Sequence, residues 1–157
     1  MNLVEAMVGI TIISFVFMGL IGAYNRFVSA ALDTQPTSKA TYLAEEGIEA
    51  LKILRDTSWT TQIAPLGTTT TYYLTFATST ATWTATSTAS YGYVDTIFLR
   101  SFTITDLNRD ATTKDIVSSG GAYDPDTKKI SISVAWRNGN ATSTKSIATY
   151  IANLFSN

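Results

Sequence analysis

Between Met1 and Arg26 the chain carries one side chain that is ordinarily charged, Glu5. The rest of MNLVEAMVGITIISFVFMGLIGAYN is almost wholly Ile, Val, Leu, Phe, Met, Gly and Ala. About twenty consecutive apolar residues are enough for a helix to cross the hydrocarbon core of a bilayer. An extended chain in lipid would leave its peptide groups unpaired, so helix is the form this stretch must take there. Glu5 is the exception that needs a reason. A carboxylate held within lipid costs roughly 2.5–3.5 kcal/mol on insertion scales, so it calls for a partner or a function. The nearest positive group is the amine at Met1, one helical turn away, on the same chain or on a neighbouring copy. An ordinary signal anchor with an incidental Glu is the competing reading. Such segments have a basic first region and a shorter apolar core.

Composition narrows the rest. The chain has 157 residues, leaving enough beyond the apolar run for one compact domain. A net charge of −1 gives no bulk electrostatic case for nucleic acid or acidic substrates. The absence of Cys excludes disulfides, thiolate chemistry and cysteine metal sites. The absence of His removes the commonest general base and transition-metal ligand. The expectation is therefore a protein that is not an enzyme, with no catalytic residues, cofactor or metal.

After Arg26 the polar residues Ser29, Asp33, Thr34 and Gln35 arrive without a turn cluster, so the helix is expected to leave the membrane and continue. Pro36 lacks a backbone donor and disfavours helical geometry at Gln35, which predicts a kink or brief break with helix resuming beyond it. From Ser38, Ala40, Leu43, Ala44, Gly47, Leu51 and Leu54 recur at helical spacing, with Glu45, Glu49, Lys52 and Asp56 opposite. Glu45 and Glu46 are adjacent and point apart, so they form no catalytic dyad.

Residues 57–96 are dominated by Thr, Ser and Ala with scattered aromatics, which reads as a surface loop linking helix to sheet. Attachment of O-linked sugar is the competing reading of the same composition. Within it Tyr72–Phe76 has the character of a short strand, and any strand about Trp83 would be polar and lie at an edge. The final third reads as antiparallel sheet. Ile97 and Leu99 alternate in one phase while Phe102 and Ile104 alternate in the other, which predicts a bulge near Arg100 and Ser101. In KISISVAW, Ile130, Ile132, Val134 and Trp136 share one face, Asn138-Gly139 supplies a tight turn, and Ile147 and Ile151 fall in phase on the return strand.

Four small groupings are candidate sites. Asp106-Leu107-Asn108-Arg109-Asp110 begins like a calcium loop, but Ala111 stands where Gly is needed and Val117 where a bidentate Glu belongs, so a polar loop is expected. Asp124-Pro125-Asp126 is read as a turn. Asn140-Ala141-Thr142 matches a glycosylation acceptor, which makes Asn140 a candidate modification site. Lys128, Lys129, Arg137 and Lys145 could form a basic patch for nucleic acid, although four such residues in a hairpin are more simply a solvated face.

The first residues resemble the mature N-terminus of a type IV pilin. That family opens with a methylated apolar residue, usually Phe, then a TLxE-like sequence and about twenty apolar residues. Here Met1 stands for the Phe, Asn2-Leu3-Val4 for the next three residues, and Glu5 for the acidic position. YLAEEGIEALKILRD resembles the corresponding helix end of pilins and pilin-like proteins, and DPDTKK followed by a strand ending in Trp136 resembles their closing strands. Many pilins close a C-terminal loop with a disulfide, which this chain cannot do.

The fold expected is α+β. A long N-terminal helix over 1–56, membrane anchor and filament core, packs on an antiparallel sheet head over 57–157 of about four strands, an approximate count from the alternating runs. The resemblance implies a structural subunit stored in the cytoplasmic (inner) membrane. It also implies a leader removed and Met1 methylated by a prepilin peptidase, and polymerisation of identical subunits by membrane assembly machinery into an extracellular pilus for adhesion, motility or DNA uptake. Met1 and Glu5 would act in assembly, and Gly19 and Gly22 would mark either a stretch that becomes extended in the filament or a place of close packing between helices. A minor pilin, a pseudopilin of type II secretion, and a membrane-anchored binding protein that never polymerises are the alternatives.

Overall fold

The computed structural model describes residues 2–139 and 141–155, without the side chains at 32 and 33. It is an α+β fold with one long helix, α1 (Leu3–Thr57), and strands β1 (Tyr72–Ala77), β2 (Thr82–Thr86), β3 (Tyr93–Val94), β4 (Phe98–Arg109), β5 (Ile116–Val117), β6 (Ala122–Asn138) and β7 (Ala141–Ala152). Two compact units arise, Met1–Ser38 and Lys39–Asn157. The division falls inside α1, because the second part of the helix is bound into the head by its own apolar stripe. Helical structure continues across Pro36 without a break. Proline removes its own donor and crowds the carbonyl four residues back, a local cost that the helical bonds on either side outweigh here.

In the second unit Ala40, Leu43, Ala44, Ala50, Leu51 and Leu54 of α1 are buried with Phe98, Phe102, Ile104, Ile130, Ile132, Val134, Trp136 and Ile151 of the sheet. Each fully buried Leu, Ile or Phe contributes about 1.5–3 kcal/mol relative to exposure. The stripe read from helical spacing is the stripe that packs. Glu45, Glu49 and Asp56 are exposed on the other side.

The sheet is antiparallel in the order β2-β1-β4-β6-β7, with β3 and β5 also pairing β4. It has seven strands where about four were expected, because β2 and β3 of the Thr-rich region and the two-residue β5 join the expected strands. That region is not a simple loop. A single π-helical turn, Trp59–Ile63, follows α1 and is capped by Ser58 Oγ, which accepts from the Thr61 N–H at 3.3 Å. Trp59, Ile63 and Leu74 are buried, so apolar residues set among threonines suffice to tie the segment to the core. β2 forms one edge of the sheet, as expected for a strand about Trp83.

Two register expectations are corrected. Strand β4 keeps one phase through residues 100 and 101, with Phe98, Arg100, Phe102 and Ile104 all facing inward, and Ile97 is 56% exposed. The irregularity lies at Asp106/Leu107, where β6 passes from Lys128 to Asp124 in the pairing. Asp124-Pro125-Asp126 therefore sits in a bulged stretch of β6 and not in a turn, and the displaced residues leave Pro125 outside the ladder. The hairpin turn also begins one residue later than read. Asn138 is still a strand residue pairing with Ala141, and Gly139, at φ 59°, takes the left-handed position.

Candidate assembly surface

Residues 3–31 form a helical stretch whose side chains no other part of the described unit covers. Every large hydrophobic side chain from Leu3 to Phe27 is more than half exposed, among them Leu3, Phe15, Met18 and Phe27 at 71–80%. This is a helix long and apolar enough to cross a membrane. Its polar residues are prepared for such surroundings. Thr11 Oγ1 donates to Met7 O at 2.8 Å, Ser14 Oγ to Ile10 O at 2.8 Å, and Thr34 Oγ1 to Ala30 O at 2.9 Å. Hydroxyls that bond the preceding turn carry no unsatisfied donor into an apolar environment.

Glu5 lies in the first turn of this helix with its side chain exposed, and its N–H donates to Asn2 O at 2.9 Å. A carboxylate at a helix N-terminus is favoured by the macrodipole. Among the described residues Glu5 has no ion-pair partner. Met1, its expected counterpart, lies outside the described residues. Gly19 and Gly22 are helical, and a β-carbon on either would meet nothing within 4 Å. Neither glycine is packed within one chain, so extension in a filament and close packing against a helix of another copy both fit this geometry.

The head distributes its polar groups as structure. Asp106 to Arg109 belong to β4, so the calcium-like spacing falls on a strand and not in a loop. Asp106 pairs with Lys128, which is buried and also donates to Tyr123 Oη at 3.0 Å. Burial lowers the Lys128 pKa, but the bonds to Asp106 and Tyr123 outweigh it and raise the group above its ordinary value. Arg109 donates from Nε to Asp124 Oδ2 at 2.6 Å and from Nη2 to Thr127 Oγ1 at 3.1 Å. Burial pushes Asp124 up, yet Arg109, Thr127 and the Asp126 N–H together hold it below the ordinary carboxylate value. These pairs bracket the bulge at 106/107 and fix it. Asp110 closes the following turn by accepting from the Thr112 and Thr113 N–H groups. The four basic residues do not gather. Lys128 is buried and paired, Lys129 and Arg137 lie on the outward phase of β6, and Lys145, paired with Val134, lies on the other phase. Asn140 lies outside the described residues.

One buried charge was not legible in the sequence. Arg100 is 3% exposed between sheet and helix, with Nη1 donating to Glu46 Oε2 at 2.9 Å and Leu43 O at 3.3 Å, and its guanidinium 5.1 Å from the Trp83 ring centroid. The period-two series Phe98, Arg100, Phe102, Ile104 would have found it had a charged residue been allowed on the inner face.

No known protein family, curated protein or solved structure matches this chain.

Proposed function

We propose that this chain is a filament subunit of the type IV pilin kind, stored in a membrane by residues 3–31 and polymerised through that same helix into an extracellular fibre. The observation that carries the reading is the exposed, largely apolar helix surface from Leu3 to Phe27, attached to a head that has a complete core of its own. Once out of lipid, that surface can be hidden only against copies of itself. At about 25 cal/mol per Å² of apolar area removed from water, contacts with several neighbours hold a fibre together without covalent links. Glu5 at the start of the helix then fixes axial register. Paired with the amine of a neighbouring Met1 it is satisfied, and displaced from it the carboxylate is a buried unpaired charge.

Lipid alone covers the same surface for a membrane-anchored protein that never polymerises. Electron microscopy of the native protein sheared from cells separates the two readings. Long unbranched fibres containing this chain are expected. Protein found only in membrane fractions, as dispersed particles after detergent extraction, would overturn the proposal.

A further inference from the structure

The head carries an apolar projection at one end of its sheet and an apolar groove at the other. Just beyond β7, Leu154 and Phe155 are 60% and 63% exposed. They are not a loose tail, because Asn153 anchors their base. Its N–H donates to Asp126 O at 2.8 Å, its Nδ2 donates to Asp126 Oδ1 at 3.0 Å, and its Oδ1 accepts from the Phe155 N–H at 3.4 Å. The backbone that carries these two exposed side chains is thus tied to β6, and preorganisation of this sort lowers the ordering cost of binding.

The groove lies where β6 turns into β7. Tyr93, Ile97, Leu99, Ala135, Arg137 and Thr142 line a cleft of 480 Å³, with Tyr93 and Ile97 55% and 56% exposed. That volume falls in the usual range for sites that take a small apolar ligand or an anchoring side chain. Projection and groove cannot meet within one molecule. Along β7, Ala141 to Ala152 is eleven residue steps, about 37 Å at the usual rise of about 3.4 Å per residue. Charge points the same way. Among the described residues, Asp126 beside the projection has no cationic partner, and Arg137 in the groove has no carboxylate, its Nε donating to Gly139 O at 3.2 Å.

We propose that Leu154 and Phe155 of one copy seat in the groove of the next, with Asp126 facing Arg137, as a head-to-tail contact between subunits. The inference rests on the filament reading and extends it from the helices to the heads. Because the two patches differ and lie at opposite ends, the contact is heterologous and propagates instead of closing into a pair. Two side chains bury far less than the roughly 1,200–2,000 Å² of a stable free-standing interface. The contact therefore forms between heads that the helices already hold together, where the effective concentration is on the order of millimolar.

The chain has no native Cys, so introduced thiols report on the contact directly. The full-length chain with Thr142→Cys and Leu154→Cys, both at exposed positions, is assembled and also reconstituted densely in phosphatidylethanolamine–phosphatidylglycerol vesicles, then oxidised and run under denaturing conditions. A ladder of dimers, trimers and longer species is expected from the double variant, and monomer from each single variant. Adding Arg137→Glu should lower the cross-linked fraction at least fivefold, and Asp126→Lys on top of that should restore it. Fibres without a ladder overturn the contact and leave the filament reading standing. A ladder without fibres upholds the contact and overturns the filament reading, and neither fibres nor ladder removes both. Dimers from Thr142→Cys alone would show a symmetric contact and overturn the head-to-tail arrangement.

Discussion

Gly47 of α1 lies against Ile132 of β6 so closely that a β-carbon on the glycine would stand 3.1 Å from Ile132 Cδ1 and 3.3 Å from Arg100 Cδ. The helix interior therefore accepts a glycine where helix propensity disfavours it, because the sheet occupies the space a side chain would take. Gly47→Ala gains about 0.5–1 kcal/mol of helix propensity and loses a similar amount by displacing the flexible end of Ile132. It should leave stability within about 1 kcal/mol of the parent, whereas Gly47→Leu should cost about 1–3 kcal/mol through overpacking. Denaturant unfolding of the detergent-solubilised chain measures both, and a Leu variant as stable as the parent would show that the helix stands farther from the sheet.

Arg100 leads to a second expectation. Among the described residues its Nε is buried without a partner and its one ionic contact, Glu46, is half-exposed, so the charge is incompletely compensated. Replacing a buried ion by a well-packed apolar side chain of similar length is often neutral or stabilising by about 1–4 kcal/mol. Arg100→Met should keep or raise the thermal midpoint, whereas Arg100→Ala, which leaves a void under Trp83, should lower it. A Met variant that unfolds as readily as the Ala variant would mean that the guanidinium itself holds helix and sheet together.

These two positions show what was legible in the sequence. The stripe of α1 and the inner face of β6 follow from periodicity, because each is a run of apolar residues at the spacing of its element. Arg100 interrupts such a run, and a charge on an inner face reads as a change of phase. Its burial depends on Glu46, which lies 54 residues away. The shift at Asp106/Leu107 is hidden for a similar reason, since Arg109, Asp124 and Lys128 stabilise it through contacts between strands. The register of the hairpin turn is likewise hidden, because Asn138-Gly139 and Gly139-Asn140 are both sequences that suit left-handed backbone. At the candidate assembly surface Glu5 and the apolar run were legible, whereas the internal bonds of Thr11 and Ser14 required coordinates.

The turn Val94–Ile97, which leads into β4, holds Asp95 and Thr96 at φ 51° and 60°, with the Ile97 N–H donating to Val94 O at 3.3 Å. A β-branched residue in this region is strained, at a cost of about 1–3 kcal/mol. Thr96→Gly should relieve most of that and, after the added entropy of the unfolded glycine, raise stability by about 1 kcal/mol. A thermal scan showing a lower midpoint would indicate that the Thr96 hydroxyl contact with Asp95 O outweighs the strain.

The head should lose stability at both extremes of pH, through different groups. The folded pKa of Asp124 lies below its ordinary 3.8, so its contribution is complete above that value and disappears as pH falls through the folded pKa. Lys128 lies above its ordinary 10.5, so its contribution is complete below that value and disappears as pH rises through the folded pKa. Asp124→Asn should lower stability at neutral pH and flatten the acid limb of a stability–pH curve. Lys128→Met should flatten the alkaline limb. An unchanged acid limb in the Asn variant would place the linked protonation elsewhere.

Fibre yield from Glu5→Ala beside the native chain, both expressed at equal level and imaged by electron microscopy, tests the account most directly. The native chain should give fibres. Glu5→Ala should enter the membrane, because removing a carboxylate eases insertion, yet give few or no fibres, because nothing then distinguishes the correct axial register from slipped ones. Equal fibre yield from the two chains would contradict the role assigned to Glu5, and no fibres from the native chain would contradict polymerisation itself.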